Sequence, residues 1–156
     1  MTVVVGVDGS PPSRTALRLA AQEARCRQVP LIAVSAYEPP LGKPAGGYPI
    51  GTMHTGDDER ATTESALRDA VSKELGEQAD QADLRVSEGL AGHVIVETAR
   101  QTHAQLIVLA ASPGKPMLPG TVSQYVLHKA ECPVMLVPSS SPAPQPADQP
   151  KGEATR

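Results

Sequence analysis

The sequence predicts a doubly wound α/β domain on a five-stranded parallel sheet, and three observations lead there. Short apolar, β-branched runs alternate with stretches of helical periodicity in the order β-α-β-α-β-α-β-α-β, which right-handed crossovers close into a parallel sheet with helices on both faces. The runs are nearly continuous in apolarity, as in strands buried on both sides. The 156 residues suffice for one domain with a real core, and an aromatic content of 2%, with no Phe or Trp, leaves that core to Val, Leu, Ile and Ala.

Val3 to Val7 is the first strand, ended by Asp8 and Gly9. Ser10 suits a helix N-cap and Pro11 the first helical position. Leu17, Ala20, Ala21 and Ala24 then recur on one face until Pro30 stops the helix. Leu31 to Tyr37 is a second buried strand. From Glu38 to Asp58 the chain is too rich in Gly and Pro for a regular element, and a loop of that length is usually functional or mobile. Helical periodicity returns from about Glu59, with Leu67, Ala70, Val71 and Leu75 on one face, and ends near Gly76 or a few residues beyond.

Leu84 to Glu88 is a third strand. Gly89 and Gly92 bracket the turn into a helix carrying Val94, Ile95, Thr98 and Ala99 inward, and Leu106 to Ala110 is the fourth strand. Beyond Gly120 a helix presents Val122, Tyr125, Val126 and Lys129 together until Pro133, and Val134 to Val137 is the fifth strand. The Pro/Ser-rich remainder defines a domain over residues 1–138 and a disordered tail over 139–156.

Net charge is −3, and the Lys and Arg residues are scattered. No basic stripe is present to neutralise a nucleic-acid backbone or an anionic membrane, so neither is expected as a partner. Cys26 and Cys132 lie in neither CxxC nor metal-ligand spacing, which suits a reducing compartment. The N-terminus lacks the charge and apolar length of a signal peptide, and no run approaches a membrane span. A cytoplasmic protein is expected.

The histidines at 54, 93, 103 and 128 show no HExxH or C2H2 spacing, so no metal is assigned. GxSxG, GxxxxGK[ST] and strand-borne GxGxxG are all absent. No catalytic residue is assigned, and the protein is expected not to be an enzyme.

In doubly wound sheets, ligands sit beyond the carboxyl ends of the strands where strand order reverses. With a flavodoxin-like order that point lies between the first strand and a later one. Asp8 stands there, either to accept hydrogen bonds from a ribose or simply to make a tight turn with Gly9 and Ser10. Gly120 and Thr121 open the last helix, where free N–H groups and the dipole favour an anion and Thr121 and Ser123 add hydroxyls. The residues alone favour a plainer reading, in which Thr121 caps its own helix.

Placed in order, VVVGVDGS, SPPSRTALRLAAQEARC, LIAVSAYEPP, EGLAGHVIVETARQTHAQLIVLAAS and PGTVSQYVLHKAECPVMLVP resemble a universal stress protein domain across about residues 2 to 138. The resemblance implies a flavodoxin-like, adenine-nucleotide alpha-hydrolase-like fold and a homodimer joined partly through the last strand, Val134 to Val137. In one branch of the family it implies binding of ATP or AMP. That branch carries a phosphate loop of pattern G-2x-G-9x-G-[S/T].

Gly120 and Thr121 match the end of that pattern, followed by Val122 and Ser123. Ala110 and Pro113 stand where its first two glycines would be, or Ala111 and Gly114 in the alternative register. Gly120 follows Ala110 by 10 positions where the pattern requires 13. Pro113, Pro116 and Pro119 remove backbone donors that a phosphate cradle needs, and Lys115 is the loop's one cation.

The adenosine end is better kept. Asp8 matches the acidic residue near the ribose and adenine, Val7 lies beside it, and Ala36 falls where a second-strand residue meets the base. The expectation is a non-enzymatic, dimeric stress-response module with reduced or lost ATP binding, acting through a regulatory protein partner of unspecified identity. The alternative is an adenine-nucleotide (AMP or ATP) binding protein using Asp8, Ala36 and the Gly120 to Ser123 helix start. A slow ATPase has only fold analogy behind it.

Overall fold

The computed structural model describes residues 1–38, 56–111 and 121–138. Its five strands are β1 (Thr2–Gly6), β2 (Leu31–Tyr37), β3 (Ala82–Glu88), β4 (Ala104–Ala110) and β5 (Val134–Val137). All pair in parallel, in the order β3-β2-β1-β4-β5. The doubly wound class is therefore as expected, and the order reverses between β1 and β4. The switch-point crevice of such a sheet lies beside the carboxyl end of β1.

Side chains alternate across a strand, and here both sides are covered. Val3, Val5, Leu31, Ala33, Leu106 and Val108 pack toward the helices α1 (Pro11–Arg27) and α2 (Gly56–Leu75). On the other face, Val4, Ile32, Val34, Ile107 and Leu109 pack toward α3 (Ala91–Gln101) and α4 (Thr121–Lys129). This two-sided burial is why the strands read as unbroken apolar runs. Leu17 of α1 and Leu67 of α2 are fully buried against the first face, each contributing about 2 kcal/mol.

Close approach of helix to sheet depends on small residues. A Cβ on Gly6 would stand 2.8 Å from both Ile95 Cδ1 and Leu109 Cδ2, and one on Gly92 would stand 2.8 Å from Tyr125 Cδ1. Gly92 thus lets the α4 tyrosine lie on α3. Ser10 caps α1 as expected, accepting from Ser13 N–H at 3.4 Å, with Pro11 at the first turn.

Several boundaries move. α2 starts at Gly56, so the last residues of the expected Glu38–Asp58 loop are helical. Asp57, Asp58 and Glu59 fill its first turn, where their charges complement the helix dipole. Leu75 is followed by a 3-10 segment, Gly76–Gln81, and β3 and β4 each begin two residues early, at Ala82 and Ala104.

The inward face of α4 also needs correction. Val122 and Lys129 are exposed, and the buried residues are Ser123 and Val126. A helix this short lies over the sheet through one residue per turn, and Ser123 and Val126, three apart, share that side. The rest of the Glu38–Asp58 loop and the 139–156 tail lie outside the described residues. Among those described, no helix is long and apolar enough to cross a membrane.

Candidate functional site

β1 ends in a locked geometry. Val7 N–H donates to Val34 O at 2.8 Å, and the Ser35 hydroxyl donates back to Val7 O at 2.6 Å, which fastens the carboxyl ends of β1 and β2 together. The chain then turns on Gly9, whose φ of +81° suits glycine. Asp8 Oδ1 accepts from Ser10 N–H at 2.9 Å and from Ser10 Oγ–H at 2.5 Å. Asp8 therefore makes the turn before α1 that one reading of the sequence proposed.

It also lines a cleft. Val7, Asp8 and Ala36 share a hollow of about 220 Å³ with Thr62, Thr63 and Ala66 of α2. Burial opposes ionisation of Asp8, but the hydrogen bonds from the Ser10 hydroxyl and amide outweigh it and hold the carboxyl below its ordinary value of 3.8. At neutral pH the cleft thus carries a fixed anion that accepts hydrogen bonds and donates none. Beside it stand two threonine hydroxyls that can do either. The arrangement suits a neutral, donor-bearing group such as a sugar or a base edge.

The three α2 residues were missed in the sequence, although a signal for them exists. Thr63, Ala66 and Leu67 extend the stripe of Ala70 and Val71 toward the N-terminus at the same 3-and-4 spacing. The stripe runs past the sheet edge, so its first turns wall a cleft instead of entering the core.

The other half of the expected site lies across the strand reversal. Ala110 closes β4, and the Ala111 N–H donates to Val137 O at 2.7 Å, continuing the ladder to β5. Thr121 is exposed at the first position of α4, whereas Ser123 is 3% exposed on the inward face. Two residues apart on a helix, they point to nearly opposite sides. Val122 is on the solvent side. Ala110, Thr121, Val122 and Ser123 do not line the Asp8 cleft among the described residues. Gly114 and Gly120, with Pro113, Lys115, Pro116 and Pro119, lie outside them.

Among the described residues no three of His, Cys, Asp and Glu come together as a metal site. Burial, and then the nearby Glu131 charge, push the Cys132 thiol above its usual range. Less thiolate forms, and reactivity falls with it.

The universal stress protein family model matches residues 1–138. A universal stress protein of Mycobacterium tuberculosis is 30% identical over 146 residues, covering 92% of this chain and 50% of its own length. A second from the same organism is 28% identical over 164 residues, covering 95% and 50%. The chain spans about half the length of the curated relatives it matches.

Among solved structures, a universal stress protein in complex with cAMP superposes with a TM-score of 0.67 at 26% identity, over 90% of this chain and 98% of that one. One from Archaeoglobus fulgidus in complex with dAMP superposes with a TM-score of 0.60 at 27% identity, over 88% and 97%. Sheet order, strand ends and the family match over 138 residues agree: the chain belongs to the universal stress protein family.

Proposed function

We propose that this protein is a non-enzymatic stress-response module in which the triphosphate-binding part of the family's nucleotide site is reduced or lost. The observation that carries this reading is the Ala111 amide. In either register it lies at or next to the first glycine of the phosphate loop, and it is engaged by Val137 O at 2.7 Å. The loop beyond is short and interrupted by prolines, so few backbone donors are left for a polyphosphate. The buried Ser123 hydroxyl on α4 is turned the other way from Thr121.

The Asp8 cleft favours a second reading, an adenine nucleotide held by its nucleoside end through Val7, Asp8 and Ala36, with the Gly120 to Ser123 helix start on the phosphate. In support, the ligands of the two neighbouring proteins above, cAMP and dAMP, are monophosphates. A thermal-shift series with AMP, ADP and ATP, with and without magnesium, separates the readings, because occupancy stabilises by mass action. The first predicts no shift with ATP, and the second a shift with AMP at least as large as with ATP. A shift that appears only with ATP and magnesium overturns both.

The module acts as a homodimer in this reading, in the cytoplasm and with a regulatory protein as its further partner. The two sheet edges support the choice of β5. β3, at one edge, carries Asp83, Arg85 and Glu88, with an Arg85–Asp83 ion pair at 2.9 Å, whereas β5, at the other, is Val134, Met135, Leu136 and Val137. Charges guard an edge against pairing, and an uncharged apolar edge invites it. Light scattering at micromolar concentration is expected to give twice the chain mass. A monomer there contradicts this part of the reading.

A further inference from the structure

At the end of the sheet opposite the Asp8 cleft, a second hollow of about 350 Å³ opens between the last turn of α1 and the 3-10 segment after α2. Its floor is apolar, built from the small side chains of Ala21, Ala24 and Ala82, the buried Leu31 and the half-buried Leu75. Alanines leave the space that larger residues would fill. At ~30 Å³ per water, the hollow has room for on the order of ten waters, and so for a ligand of about ten non-hydrogen atoms.

The rim is polar, and its cation, Arg25 in the last turn of α1, has no carboxylate partner among the described residues. Arg25 donates to Gln78 Oε1 at 2.7 Å, a neutral partner. Arg18, Arg27, Arg68, Arg85 and Arg100 each pair with a carboxylate, whereas Arg25 pairs with none among the described residues. Gln28 also lines the hollow, and its backbone N–H donates to the Ala24 and Arg25 carbonyls, covering part of the negative end of α1. With Gln81, one guanidinium and three carboxamides thus stand over an apolar floor. A guanidinium recognises a carboxylate by two parallel hydrogen bonds, and pockets with a largely apolar lining and a few directed polar groups are the usual form of a small-molecule site.

We propose that this hollow binds a medium-chain aliphatic monocarboxylate, its head on Arg25 and its chain along Ala21, Ala24 and Ala82. Binding exchanges the neutral Gln78 contact for a charged one and removes the chain from water. The site is separate from the Asp8 cleft and does not depend on any nucleotide.

The test is a titration of the isotope-labelled full chain with octanoate, followed by amide chemical shifts, with octanol and octylammonium as matched probes. Octanoate is expected to move the amides of Ala24, Arg25, Gln78 and Ala82 together along one saturable curve. Octanol should bind about tenfold more weakly and octylammonium not at all. Arg25→Gln, an exposed substitution, should weaken octanoate by about tenfold, and Ala24→Leu should abolish binding by filling the floor. Arg27→Gln, next to the site but not in it, should change nothing. The proposal is overturned if octanoate does not saturate these amides by about 10 mM, if Arg25→Gln binds as the parent does, or if all three probes move the same scattered set of amides.

Discussion

The two sides of the strand reversal are built differently among the described residues. On the β2 side, the β1 and β2 ends are tied by the Val7–Val34 and Ser35–Val7 hydrogen bonds, and a charged Asp8 faces a formed cleft walled by α2. On the β4 side, the Ala111 amide is engaged by β5, and the Thr121 and Ser123 hydroxyls of α4 diverge. A nucleoside pocket can be built from strand ends that the fold needs anyway. A phosphate cradle needs a glycine-rich loop, and in the reading proposed above this chain keeps the first and has reduced or lost the second.

The largest test of this contrast fills or empties the cleft. Thr63→Trp, at the cleft wall, and Asp8→Ala are each expected to abolish any thermal shift that AMP produces. At 100-fold excess over Kd the parent shift corresponds to about 2.7 kcal/mol. A variant that keeps the shift moves the nucleoside end elsewhere. Next in size is repair of the other side. Ala110→Gly with Pro113→Gly, plus three inserted residues to restore the spacing of 13, should raise ATP affinity by about tenfold or more. No gain in calorimetric titration would mean that the loop is not what limits binding.

Smaller effects distinguish the helix start. Thr121→Ala, exposed at the first position of α4, is expected to change AMP affinity by less than about threefold and stability by about 0.5 kcal/mol. A large loss would mean that its hydroxyl, and not only the amides of the helix start, holds the phosphate.

Acid reads out Asp8 itself. Its folded-state value lies below 3.8, so the stabilisation that its ionised form draws from Ser10 is complete above that value. It fades as pH falls through the lower folded value. The stability gap between the parent and Asp8→Asn should therefore be constant from pH 7 to about 5 and shrink below about 4. A gap that stays constant to pH 2 would mean the carboxylate charge contributes nothing.

Much of this was legible in the sequence because the core writes itself into periodicity. Unbroken runs such as VVVGV marked doubly buried strands, and the Leu17, Ala20, Ala21, Ala24 stripe marked the packed face of α1. Strand order was less accessible, since crossover handedness leaves open whether β3 lies beyond β2 or beside β1. In α4, Ser123 is buried and Val122 is not. A nine-residue helix offers too few turns for hydrophobicity to fix its rotation. In the candidate site, Asp8 was found because it follows the end of a strand, and Ala36 because the family resemblance implies it. Thr62 and Thr63 were missed because polar residues continuing an apolar stripe look like a helix leaving the core.

The central claim is that the nucleoside half of the site survives without the triphosphate half. It is tested most directly by denaturing freshly purified protein and measuring the released nucleotide by absorbance and chromatography. The account predicts no ATP beyond trace, and any nucleotide present to be a monophosphate. Stoichiometric ATP would contradict it.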